Sequence, residues 1–182
     1  MILRILCAVV IAAAGGEVAL AADKGLGLPP PPKSLKEKDV NTWVARYIDA
    51  PEEDIFAWME GSVMFVDRKD LRVTPANTIR FWSRSEAFAP LETEVGLIRS
   101  SRFLYEVDCQ GERLKTLAVD SYGQNNLLGD PLEEIDEPNA DWSYPRPNTA
   151  GELIVDQVCD YAAEAAEQAK ETPTGLKGAP FR

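Results

Sequence analysis

The stretch from Ser101 to Tyr122 constrains the fold most, because its residues alternate between apolar and polar types over two consecutive runs. Alternation with a period of two is typical of a β-strand with one buried face. Gln110, Gly111 and Glu112 interrupt it, as the short loop of a hairpin does. The pattern predicts two antiparallel strands, whose apolar positions include Phe103, Tyr105, Val107, Cys109, Leu114, Leu117 and Val119.

The first 21 residues have the features of a secretory signal peptide. One positive charge, Arg4, precedes an uncharged apolar run from Ile5 to Gly16. The small residues Ala19 and Ala21 form a site of the kind that signal peptidase reads, which predicts cleavage after Ala21. The run is too short for a membrane anchor, since spanning a bilayer takes about 20 apolar residues. We therefore expect an exported mature protein without a transmembrane segment.

The cysteines indicate one disulfide. Cys7 lies inside the apolar run with no small residue directly before it, so it does not fit a lipid-attachment site, and we predict that the protein is not a lipoprotein. Processing leaves Cys109 and Cys159, an even pair in an oxidising compartment, where a disulfide is the expected state. In the chain-entropy model, closing a loop of about 50 residues stabilises the fold by roughly 4 kcal/mol.

The composition argues against several classes of function. The 182-residue chain has a net charge of −11, which opposes binding to nucleic acid or anionic lipid because both require clustered lysine and arginine. It has no histidine, which excludes Ser-His-Asp and Cys-His triads and removes the usual zinc ligand. We predict no catalytic residues, no cofactor and no metal site. The 30 Asp and Glu residues leave a carboxylate-dependent hydrolase open as an alternative.

The chain divides into four predicted parts: a signal peptide (1–21), a proline- and lysine-rich linker (22–39), a single domain (40–172) and a flexible tail (173–182). The run Pro29–Pro32 favours an extended spacer over a docking motif. Apolar spacing over residues 40–48 predicts a short amphipathic helix, although an extended segment remains open there.

A regular strand is predicted at Thr78–Arg84. Its apolar residues point to one face, and Arg80, Trp82 and Arg84 point to the other. A tryptophan between two arginines can hold a ligand through charge and stacking, so these three residues form the candidate binding face. The alternative is ordinary cross-strand packing, with the arginines extending to water.

The remaining segments complete the predicted fold. Residues 87–95 and 129–147 are predicted to be irregular, with a short strand at Leu127–Leu128. The second of these stretches is acidic but lacks the spacing of a calcium loop. A helix predicted over residues 151–171 carries Cys159 near its apolar side. The fold class is therefore α+β: a small antiparallel β-sheet with the C-terminal helix packed on it and disulfide-linked to it.

From Gly61 onward, a series of short blocks follows in a fixed order: Ser62–Asp67, Ile79–Trp82, Tyr105–Cys109, Asp120–Tyr122, Trp142, Pro147, Gly151–Leu153 and Val158–Cys159. The order of these blocks resembles the surface-adhesin E family of small exported bacterial proteins. The resemblance implies the same sheet, helix and cysteine bond. It also implies a self-associating binding module for extracellular proteins, with no catalytic residues. The adhesin of this family is a lipoprotein, whereas this chain lacks a lipid-attachment site.

The sequence thus predicts a non-catalytic exported binding module of the bacterial cell envelope, periplasmic or secreted. The expected partner is a protein or an envelope component, and a homodimer agrees with the resemblance. Besides the hydrolase, a structural or stress-related envelope factor with no ligand of its own remains an alternative.

Overall fold

The structure is a computed structural model that describes residues 29–49, 54–59 and 61–171. The predicted signal peptide with Cys7, residues 22–28 of the predicted linker and the predicted tail lie outside these residues. The described part forms a seven-stranded antiparallel sheet with a C-terminal helix, which confirms the α+β fold.

The elements are, in chain order, α1 (Glu37–Tyr47), β1 (Asp54–Trp58), β2 (Ser62–Val66), β3 (Arg72–Val73), β4 (Ile79–Thr93), β5 (Gly96–Asp108), β6 (Arg113–Tyr122), β7 (Pro131–Asp136) and α2 (Ala150–Glu171). The strand order is β1-β2-β4-β5-β6-β7, and the short β3 pairs with the start of β4. The described chain also has two 3₁₀ turns, Arg68–Asp70 and Asn125–Leu127.

The central hairpin forms as the alternation predicts. β5 pairs antiparallel with β6, and the last pair before the turn is Asp108↔Arg113. Tyr105 and Val107 are buried on one face of β5. The apolar and polar positions of the sequence therefore correspond to the two faces of the sheet.

The sheet has an apolar core on each face, because β2 contributes to both. Val63 to Val66 are all buried, as in strands covered on two sides. One cluster lies on the face of the sheet that α2 covers, which we call the α2 face. It includes Met64, Val66, Ile79, Phe81, Tyr105, Val107, Leu114, Ile154, Val155 and Val158. The other cluster lies on the face that α1 covers, which we call the α1 face. It includes Val40, Trp43, Val63, Phe65 and Phe88. Since neighbouring β2 residues point to opposite sides, the two helices cover opposite faces.

The predicted disulfide is present. Cys109 directly follows β5 and Cys159 lies in α2, with their Cα atoms 5.7 Å apart in the bonded pair. The bond therefore fastens α2 to the turn end of the central hairpin.

The predicted N-terminal helix also forms, although α1 begins at Glu37 rather than at residue 40. The indole N–H of Trp43 in α1 donates to the carbonyl of Pro30 at 2.7 Å. The indole N–H of Trp58 donates to the carbonyl of Leu35 at 2.9 Å. Two indole groups therefore hold the end of the proline-rich segment against the domain.

The prediction of a loop at residues 87–95 is wrong, because β4 continues to Thr93. The prediction rested largely on Pro90. However, the β4–β5 pairing shifts between Glu86 and Leu91, and a strand accommodates proline at such an irregularity.

Two predictions for the chain after β6 are also wrong. Leu127–Leu128 is not a strand, since a 3₁₀ turn with positive φ at Asn126 and Leu127 occupies this position. The acidic stretch 129–147 is not irregular throughout, because β7 pairs with β6. β7 is an edge strand, where charged side chains remain in water, so a run of charge does not exclude it.

Candidate binding face

The structure separates the three residues of the predicted binding face. Alternation along β4 places Arg80, Trp82 and Arg84 on the same side of the sheet, the α1 face. Arg80 and Trp82 reach the surface, where the Arg80 side chain is 48% exposed and Trp82 is 38% exposed. Arg84 is buried and bonds to Glu86 and to the chain after α1. The predicted set thus consists of a surface pair and a buried arginine.

Arg102 of β5 completes the surface group. Its guanidinium carbon lies 5.0 Å from the centroid of the Trp82 ring, within cation–π distance, and its side chain is 45% exposed. Local sequence does not indicate Arg102, because its contact with Trp82 depends on the β4–β5 register, which pairs Trp82 with Leu104. One sequence feature does point to its side of the sheet: Arg102 and Glu106 are an even number of residues apart, so both side chains are expected on the polar face of the hairpin.

Carboxylates hold both surface arginines. An Arg80 N–H donates to Glu106 at 2.6 Å, and the Thr78 hydroxyl donates to the other oxygen at 2.8 Å. Burial by itself would raise the pKa of Glu106, but these hydrogen bonds and the charges of Lys115 and Arg80 together hold that pKa below its ordinary value. Arg102 forms a salt bridge with Asp120, and this hydrogen bond raises the pKa of Arg102. Both arginines are therefore held in position by a carboxylate.

We call Arg80, Trp82, Arg102, Glu106 and Asp120 the Trp82 face. It presents a flat ring between two guanidinium groups, which bind carboxylates, peptide carbonyls and aromatic rings. The Lys115 ammonium lies 3.7 Å from Glu106, and Glu134 acts on Arg102 through its charge, so cations and carboxylates are balanced around the Trp82 face. Tryptophan and arginine are the residue types that dominate affinity in protein interfaces.

A buried polar network lies further along β4. Glu86 is fully buried, and its carboxylate accepts from Arg84 at 2.7 Å, from the Asn125 side chain at 2.9 Å and from the Asn126 backbone at 2.9 Å. Burial raises the pKa of Glu86, and the bonds from Asn125 and Arg84 oppose that rise. The Asn126 side chain in turn accepts from the backbone N–H of Asp49. The network therefore connects β4, the 3₁₀ turn and the chain after α1.

Other features bear on the chemistry of the described residues. Among them, no group of three or more acidic or cysteine side chains is placed to hold a metal ion. No helix in this part of the chain is long and apolar enough to cross a membrane. Hydrogen bonds from the Gly111 backbone and Arg113 lower the pKa of Asp108 and close the β5–β6 turn.

The described residues form a small disulfide-linked α+β domain that exposes Trp82, Arg80 and Arg102 on one face of its sheet. The family model described as surface-adhesin protein E matches residues 57–160, and the chain belongs to this family. It is thus an adhesin-like binding protein, as the sequence blocks indicate, and its disulfide fits an oxidising compartment.

A solved structure is similar to the chain over part of its length. It is crystal form II of Haemophilus influenzae protein E, with a TM-score of 0.44 and 15% sequence identity. The match covers 64% of this chain and 98% of that one. No curated protein matches the sequence.

Proposed function

We propose that this protein is a non-catalytic, exported binding module of the bacterial cell envelope that holds a partner protein through the Trp82 face. The observation that carries the proposal is the exposure of Trp82 between two arginines that carboxylates already hold in place. Such pre-positioned side chains lose little further entropy on binding, so more of the contact energy remains as affinity.

The carboxylates support a non-catalytic role over the hydrolase alternative. A carboxylate-pair hydrolase needs an accessible acid whose pKa is raised. Glu86 has a raised pKa, but its carboxylate is fully buried and accepts from three groups. Glu106 and Asp108 have lowered pKa values and act as hydrogen-bond acceptors.

Export to the periplasm or beyond is supported by three features. The leader has the composition of a signal peptide with cleavage after Ala21. The chain belongs to an adhesin family, and the Cys109–Cys159 bond fits an oxidising environment. Without a lipid-attachment cysteine, the mature protein is free in the periplasm or secreted.

In-cell crosslinking of the tagged mature protein, followed by mass spectrometry, tests the proposed function. The wild type should crosslink reproducibly to a specific protein partner. Trp82→Ala should weaken binding of the purified partner by at least about tenfold, because it removes a central aromatic anchor. Tyr144→Ala is the matched control, since Tyr144 is an exposed aromatic residue outside the Trp82 face.

Two results would contradict this function. If folded Trp82→Ala binds the partner as tightly as the wild type, the Trp82 face is not the contact. If the wild type crosslinks only to itself or to nothing, and its deletion weakens the envelope, the structural envelope factor becomes the better description.

A further inference from the structure

β7 forms an open edge of the sheet. It pairs with β6 on one side and ends the strand order. In the part of the chain that the structure describes, no strand pairs with its other side. The outward backbone groups of such an edge can form a ladder with an added strand.

A row of apolar side chains leads to this edge on the α2 face. Phe103 of β5 pairs with Val119 of β6, which pairs with Ile135 of β7, so the three side chains are neighbours. Phe103 and Val119 are half-buried, whereas Ile135 is 38% exposed. A cavity of about 340 Å³ lies beside all three. A strand added to β7 would extend this row, so its residue opposite Ile135 should be apolar.

On the opposite face of the sheet, β7 carries acidic side chains that positive residues of an added strand would pair with. Glu134 and Asp136 flank Ile135 in sequence, and both are exposed. Glu134 pairs with Asp120 across the β6–β7 ladder. Arg102 forms its ion pair with Asp120, and its interaction with the charge of Glu134 is weaker. Positive residues directly opposite Glu134 and Asp136 would therefore complete the charge pattern.

We propose that β7 binds an extended segment of a partner protein by strand addition. In this segment, an apolar residue lies between two basic residues. The apolar residue packs beside Ile135, and the two basic residues pair with Glu134 and Asp136. The same carboxylates disfavour a second copy of β7, because like charges opposite one another repel. This site is separate from Trp82 and does not depend on the proposed role of that residue.

A peptide with the central sequence Lys-Val-Lys-Val-Lys tests the proposal when it is labelled and titrated against the full mature protein. Binding should protect backbone amides of β7 from hydrogen exchange. The same peptide with N-methyl groups on alternate amides keeps its charge but cannot form a strand ladder. It should bind at least about tenfold more weakly, since several backbone hydrogen bonds are lost.

A charge-reversed variant provides the second comparison. Glu134→Lys/Asp136→Lys should weaken binding of the unmethylated peptide by about tenfold or more. Asp156→Lys/Asp160→Lys makes the same charge change on exposed positions of α2 and should change binding by less than about twofold.

Two outcomes would overturn the proposal. Equal binding of the methylated peptide would indicate adsorption to an acidic surface without strand pairing. Equal loss in both double variants would indicate a response to net charge alone. Neither outcome bears on the Trp82 test, which uses a different residue and the natural partner.

Discussion

Arg80 and Arg84 are four positions apart on β4 and make carboxylate pairs of similar length, 2.6 Å to Glu106 and 2.7 Å to Glu86. The Arg80 side chain is half open to water, where an ion pair contributes about 0–1 kcal/mol and leaves the guanidinium available for contacts. The Arg84 pair is buried, where removal of one partner costs about 3–5 kcal/mol. The first arginine therefore suits binding, and the second suits support of the fold.

Glu106 makes stability depend on pH. Its pKa is lowered in the folded state, because hydrogen bonds and neighbouring positive charges together outweigh the effect of burial. A carboxyl of this kind contributes stability above its unfolded pKa, near 4.5, and the contribution is lost as pH falls through the lower folded value. Glu106→Gln should lower the unfolding free energy at neutral pH by about 1–3 kcal/mol. It should also flatten the decline in stability below about pH 4.5.

Urea unfolding at a series of pH values measures this effect. Glu94→Gln is the control, since Glu94 is an exposed residue in the turn between β4 and β5. If Glu106→Gln and the wild type lose stability in parallel below about pH 4.5, Glu106 is not the group responsible.

At the scale of elements, the 3₁₀ turn before β7 depends on groups from other strands. Asn126 and Leu127 have φ values of 66° and 53°, a region that costs a non-glycine residue about 1 kcal/mol or more. Glu86 of β4 accepts from the backbone N–H of Asn126, and the Ser100 hydroxyl of β5 accepts from that of Leu127. These hydrogen bonds offset the cost of the turn and position it beside the end of α1.

A double-mutant cycle on Arg84 and Glu86 tests this connection. Arg84→Met and Glu86→Leu should each lower the unfolding free energy by about 3–5 kcal/mol, because each removes one member of a buried ion pair. The double variant should lose less than the sum of the two by at least about 1 kcal/mol, since it leaves neither charge behind. Urea denaturation gives the three values, and strict additivity would show that the two groups do not support each other.

At the scale of the whole molecule, the two helices are attached to opposite faces in different ways. α2 packs on the core of one face and is bonded to the central hairpin through Cys109–Cys159. α1 packs on the other face through Val40 and Trp43. The disulfide joins residues 50 positions apart, so it restricts the unfolded chain more than a local crosslink would.

The disulfide should therefore act as one unit in unfolding experiments. Cys109→Ala and Cys159→Ala should each cost about 2–5 kcal/mol, and the double variant should cost no more than either single one. Reductant should destabilise the wild type by a similar amount and leave the variants unchanged. Two free thiols in the mature, non-reduced protein would contradict the bond directly.

Local pattern and composition were enough to predict several parts of the fold. Period-two alternation predicted the central hairpin, apolar spacing predicted both helices, and the cysteine count predicted the Cys109–Cys159 bond. The ordered blocks indicated the adhesin family. Each of these signals is contained in neighbouring residues or in the count of one residue type, so no knowledge of long-range contacts was needed.

Which parts of each strand are covered, and which strands are neighbours, depends on contacts between distant segments of the chain. Alternation along β4 predicts that Arg80, Trp82 and Arg84 share one face of the sheet. However, Arg84 is buried and bonds to the chain after α1. The β4–β5 register places Arg102 over the Trp82 ring. The sequence did not predict β7, because its acidic residues are typical of a loop and its strand conformation depends on pairing with β6. Register and coverage arise between segments far apart in the chain, and local periodicity contains no information about them.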